Sequence, residues 1–158
     1  MVFREAEKCE AATVADLYRS VTGLPFCTWD ETYPGEEEIR EDLEAGTLFV
    51  LEEEREVIGA ISIVPENELD EQPCWKETKN AGEFARVVIR PDHQHEGLSR
   101  YLVDGVIREF RKRGAAAVHL SVAKINTPAQ RLYRSAGFEF CGEANMYGNS
   151  YYLCEKIL

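Results

Sequence analysis

Residues 84–113 constrain the fold more than any other stretch of the chain. The run Phe84-Ala85-Arg86-Val87-Val88-Ile89 is mostly apolar and closes at Pro91, and Asp92-His93-Gln94-His95-Glu96 then leads into Gly97. From there to Arg113, Leu98, Leu102, Val106 and Phe110 recur every four residues, which places them on one face of a helix. Gly105 lets that helix approach a sheet closely, and Gly114 follows a basic last turn. The spacing predicts a strand over 84–89, a helix over 97–113 and a sharp turn between them. Such a turn aims free backbone N–H groups at one point, where the helix dipole adds partial positive charge suited to phosphate oxygens. Ser99 adds a hydroxyl donor. An ordinary strand-to-helix connection has the same features, and neither a P-loop nor a G-x-G-x-x-G fingerprint is present.

The flanking patterns fit the same architecture. Val14, Leu17, Tyr18 and Val21 recur at three and four, predicting a helix over 11–21. A second helix over 36–45 turns Ile39 and Leu43 inward and its many acids to solvent. Residues 47–52 and 57–64 read as a hairpin, 65–80 as a polar loop, and 118–122 as a strand. Thr127-Pro128-Ala129-Gln130 resembles a capping box opening a helix with Leu132, Tyr133 and Ala136 on it. Short strands over 2–4, 138–141 and 151–156 complete the set. The expectation is a single domain over 1–158: an α/β (α+β) fold with a mixed sheet of six to seven strands layered by about four helices.

Composition narrows the partners. Lys and Arg number 18 against 29 Asp and Glu, a formal charge of −11, which disfavours nucleic acid and anionic membrane surfaces. No apolar stretch approaches the roughly 20 residues of a membrane span, and the first residues do not form a basic-then-apolar leader. Five scattered cysteines without a C-x-x-C pair read as reduced thiols of a cytoplasmic chain. His93, His95 and His119 have no matching ligands at metal-site spacing, so no metal is expected.

Two coupled motifs then point to a family. Gln94-His95-Glu96-Gly97-Leu98-Ser99 resembles the Q/R-x-x-G-x-G/A pyrophosphate loop of the GNAT superfamily of acyl-CoA-dependent N-acetyltransferases. Some thirty residues on, Asn126, Tyr133 and Gly137-Phe138 stand in that family's second pattern. The resemblance is sharp over 84–141. It departs at Ser99, where Gly or Ala is usual, and at Glu96, whose carboxylate opposes a diphosphate and is expected to face solvent, with Arg90 and Arg100 near enough to offset it.

What the resemblance implies is a sheet splayed at its centre between 84–89 and 118–122, admitting acetyl-CoA. Backbone groups of Val87, Val88 and Ile89 would hold the pantetheine and acetyl end, and Gln94, His95, Glu96, Gly97, Leu98, Ser99 and Arg100 the pyrophosphate. Asn126 would bond the pantetheine arm. Tyr133 would be the acid for the departing thiolate; without Asn126 and Gly-Phe it would read as a core aromatic. Glu83 is the first candidate base, with Glu68 and Asp70 as alternatives; an exposed acid is the plain reading of each. Phe26, Cys27, Trp29 and Tyr33 form either an aromatic wall for the acceptor or a cap on the core. The implied reaction is acetyl transfer to a primary amine of a small molecule or peptide; the alternative is a noncatalytic acyl-CoA-binding sensor or partner-binding module. Family members often pair, so a homodimer is also compatible with the resemblance.

Overall fold

Alternating strand and helix patterns assemble one seven-stranded sheet, described over all 158 residues in the computed structural model. In chain order the elements are β1 (Val2–Glu5), α1 (Ala11–Val21), α2 (Glu36–Ala45), β2 (Leu48–Glu53), β3 (Glu56–Val64) and β4 (Ala81–Ile89). Then come α3 (Leu98–Lys112), β5 (Ala117–Ala123), α4 (Thr127–Ser135), β6 (Glu139–Met146) and β7 (Asn149–Ile157). The sheet order is β1-β2-β3-β4-β5-β7-β6. Its neighbours run antiparallel except β4 and β5, which are parallel and joined through α3.

Helices cover both faces. Val14, Leu17, Tyr18 and Ile39 of α1 and α2 pack on Leu48, Val50 and Val88. On the other face Leu98, Leu102, Val106 and Phe110 of α3 join Phe84, Tyr133 and Phe138. At about 1.5–3 kcal/mol for each large apolar side chain buried, the four-residue stripe of α3 is enough to fix that helix on the sheet. Gly105 sits directly over the Phe3 ring, where an added Cβ would come within 2.5 Å of Cδ2. No helix is long and apolar enough to cross a membrane.

Several expectations shift. β4 starts at Ala81, three residues early, and α3 starts at Leu98 with Gly97 as its N-cap. The capping box at Thr127 does not form: Asn126 is the cap, its Oδ1 accepting from the Ala129 N–H at 3.2 Å, while Gln130 donates to the carbonyls of Ala123 and Lys124. β6 runs on to Met146. Asp42 of α2 does not face solvent with its neighbours but is buried, 4 % exposed. The loop over 65–80 holds a 3-10 turn at Glu68–Glu71 and a buried Trp75 stacked on His119 at 3.8 Å.

Candidate active site

The cleft arises where one strand pair stops pairing. β4 and β5 share three rungs, Ala81 with Ala117, Gly82 with Val118 and Glu83 with His119, and none beyond. On its other side β4 stays paired with β3 but carries a bulge: Ala85 faces Ser62 and Val88 faces Ala60, leaving Arg86 and Val87 opposite Ile61 alone. Arg86 takes the left-handed backbone conformation, φ +56°. A bulge bends its strand and sharpens the local twist, which carries β4 away from β5. The splay expected between 84–89 and 118–122 is therefore present.

The loop after β4 opens on that splay. The Gln94 Nε2 donates to the Ile89 carbonyl at 3.1 Å, tying the loop back to the strand end. The backbone turns through φ +67° at His95 and +76° at Gly97, and nothing lies within 4 Å of where a Gly97 Cβ would stand. The N–H groups of His95, Glu96 and Gly97 find no acceptor in the protein, and those of Leu98 and Ser99 begin the helix, where no intrahelical acceptor exists. Glu96 is exposed, its Oε2 3.3 Å from His93 Nδ1. The arginines expected to offset it are engaged elsewhere: Arg90 with Asp92 and Glu56, Arg100 with Asp104 at 2.9 Å and the Ser135 carbonyl at 3.2 Å. The loop thus presents main-chain donors rather than cationic side chains.

Candidate proton-handling groups flank the first parted residue, Phe84. The Tyr133 ring meets Phe84 edge-on at 5.9 Å and Phe138 at 6.0 Å. It is 7 % exposed, and its hydroxyl makes no hydrogen bond within the protein. Burial pushes that phenol above its ordinary range. Glu83 points to the opposite face from Phe84, as strand alternation requires, and is half-buried, with Oε1 accepting from Asn67 Nδ2 at 2.8 Å. Burial pushes its carboxyl up to about 7; the Asn67 hydrogen bond pulls down, the nearby Asp70 adds to the rise and Arg86 opposes it. Glu68 and Asp70 lie exposed on the adjoining turn.

The aromatic segment before α2 divides. Phe26 and Tyr33 are 47 % and 43 % exposed, whereas Trp29 meets Tyr18 edge-on at 5.4 Å and packs with Cys27 against the α1–α2 core. Tyr33 Oη accepts from Arg86 Nη1 at 3.2 Å, and Arg86 Nη2 donates to Asp42 Oδ2 at 2.8 Å. Sequence reasoning missed this pair. Its one readable signal is a charge in the middle of an apolar strand.

A sheet parted at its single parallel pair, with a glycine-led helix start at the mouth of the gap, defines the class of fold. The family described as acetyltransferase (GNAT) matches residues 14–138. The chain belongs to this family. It is similar to the [ribosomal protein bS18]-alanine N-acetyltransferase of Escherichia coli K12, 40% identical over 65 residues, covering 41% of this chain and 42% of that one. The match therefore spans less than half the length of that curated relative. The fold is similar to ribosomal-protein-alanine N-acetyltransferase from Brucella melitensis, with TM-score 0.79, 24% identity and all of both chains covered. It also resembles yncA from Salmonella typhimurium, solved with its cofactor acetyl-CoA, with TM-score 0.77 and 21% identity over 100% of this chain and 94% of that one.

Proposed function

We propose that residues 1–158 form one acetyltransferase domain that moves an acetyl group from acetyl-CoA to a primary amine of a small molecule or peptide by direct attack. The observation that carries this reading is the parting of β4 from β5 just past Glu83 and His119, with the Tyr133 ring edge-on to the first parted residue, Phe84. The name of the Escherichia coli relative, an alanine N-acetyltransferase, supports an amine acceptor.

Acetyl-CoA supplies the acetyl group as an activated thioester. The free amides of His95, Glu96 and Gly97, with those of Leu98 and Ser99, take the diphosphate at the positive end of α3. Gln94 holds the loop in shape; Arg100 acts from behind it by bracing α3 against α4. Backbone groups of Val87, Val88 and Ile89, unpaired toward β5, hold the pantetheine. Asn126 keeps Nδ2 free for the same arm while its Oδ1 caps α4.

The acceptor enters from the α1–α2 face, past Phe26 and Tyr33, with Trp29 supporting that wall from the core side. An alkyl amine, pKa about 10.4, arrives protonated. Glu83, with its carboxyl near 7, takes the proton and frees the lone pair. The C–N bond forms and the C–S bond breaks. The nitrogen sheds its second proton to solvent, the thiolate accepts a proton from Tyr133, which burial keeps protonated at rest, and solvent restores the Tyr133 proton. The products are an amide and a free thiol.

Incubation with acetyl-CoA and a panel of amines tests the reading by release of free thiol. We expect turnover with at least one acceptor and its loss in Tyr133→Phe. Tight calorimetric binding of CoA without thiol release from any acceptor would overturn the enzyme reading in favour of a binding module.

A further inference from the structure

We infer that Asp42 and Arg86 are positioning residues for the donor cleft: their buried ion pair holds the β4 bulge in the shape that keeps β4 parted from β5. The inference rests on the functional reading above and extends it to two residues that touch neither substrate.

Arg86 is the residue on which the bulge turns, at φ +56° inside a strand. An L-residue other than glycine holds that conformation only when its surroundings over-determine it. Here they do. Arg86 Nη2 donates to Asp42 Oδ2 at 2.8 Å and Nη1 to Tyr33 Oη at 3.2 Å. The same Asp42 oxygen accepts from Ser62 Oγ at 2.8 Å, and Ser62 pairs with Ala85, the rung just before the bulge. The carboxylate therefore clasps both strands at the point where they fall out of step.

Stability alone is a poor reason for this arrangement. The two side chains are 9 % and 6 % exposed, and apolar residues often replace a buried ion pair at no loss. The surroundings do not even satisfy it fully: Arg86 Nε and the neighbouring Tyr18 hydroxyl are buried without partners. What the pair does fix is register. With Arg86 extended, one residue would face Ile61 instead of two, and Val87, Val88 and Ile89 would each turn to the other face. Val88 would leave the α1–α2 core and Ile89 the α3 core, and different backbone groups would face the gap.

The test is CoA affinity by calorimetry, with a thermal melt of each variant alongside. Asp42→Asn keeps the size and the Ser62 contact but removes the charge, and is expected to weaken CoA binding about tenfold. In that background, Arg86→Gly and Arg86→Ala both lack the clamp, yet only glycine adopts positive φ freely. Glycine is expected to bind CoA about tenfold more tightly than alanine. A purely structural pair would lower melting temperatures without separating the two. Equal CoA affinity for glycine and alanine, or wild-type affinity in folded Asp42→Asn, overturns the inference and leaves the functional reading intact. Should the alanine variant fail to fold, Asp42→Asn decides. Absence of CoA binding by the wild-type chain would instead defeat the functional reading, and this inference with it.

Discussion

Glu83 and His119 face each other across the last rung that β4 and β5 share. One residue later the strands have parted, so Glu83 stands at the apex of the cleft, its side chain on the face opposite Phe84. Two neighbouring residues thereby point to opposite faces: Glu83 toward Asn67 and Phe84 toward Tyr133.

In the proposed role of base, the Glu83 carboxyl, pushed up to about 7 by burial, is expected to make the rate depend on pH. A base works deprotonated, so kcat/KM is expected to rise with pH and level off above about 7, and Glu83→Gln to lose about 10²–10⁴-fold. The same shift acts on stability with a definite sign. A folded-state pKa above the unfolded value favours folding at low pH, and that contribution is lost as pH climbs from about 4.5 to about 7. Glu83→Gln is therefore expected to stabilise the chain at pH 8 by about 1–2 kcal/mol, discounted for its partial exposure. Denaturant melts at pH 5 and pH 8 check the sign.

Tyr133→Phe separates catalysis from packing. The hydroxyl has no partner in the fold, so its removal leaves no orphaned group and should change stability by less than about 1 kcal/mol. Thiol release is expected to fall about 10²-fold or more with CoA affinity unchanged. Loss of folding with activity per folded molecule retained would assign the ring to the core alone.

Gly97 tests the donor loop. Its site has room for a Cβ, so Gly97→Ala introduces no clash and acts only through φ +76°. Strain of about 1–2 kcal/mol should appear as a roughly tenfold weaker CoA affinity if the loop flattens to relieve it. A fall in melting temperature with CoA affinity unaltered would show that the loop keeps its shape.

Much of the architecture is legible in the chain because apolar periodicity and burial agree. Val14, Leu17, Tyr18 and Val21 are all buried, and α1 spans the predicted 11–21. Where periodicity is thin, reading fails. Ala81-Gly82-Glu83 carries no β-branched residue, yet these are the rungs that pair with β5; Phe110 of α3 packing over Gly82 fixes them. Asn126 displaces Thr127 as cap because either side chain suits the position and only tertiary context chooses. Asp42 is one acid among many in α2, and nothing local marks it as the one facing Arg86 across the fold. The loop motif is legible in sequence, but the commitment of Arg90 and Arg100 to other partners is not.

Glu155 shows how the roof of the 65–80 loop is held. Buried at 4 %, it accepts from the N–H groups of Lys76 and Glu77, each at 3.0 Å, and lies 2.8 Å from His119 Nε2. Burial alone would raise its carboxyl, but these donors outweigh it and the net shift is downward. A depressed folded pKa gives stability that is present above the unfolded value and lost as pH falls through the folded one. Acid melts of wild type should steepen below about 4.5, whereas Glu155→Gln, destabilised by about 2–4 kcal/mol at neutral pH, should lose that dependence.

The most direct measurement is a crystal structure of the chain grown with CoA. A diphosphate is expected within hydrogen-bonding distance of the amides of residues 95–99, with the thiol-bearing arm lying between β4 and β5 and its sulfur near the Tyr133 hydroxyl. Density for CoA elsewhere on the molecule, with the space between those strands left unoccupied, would contradict it.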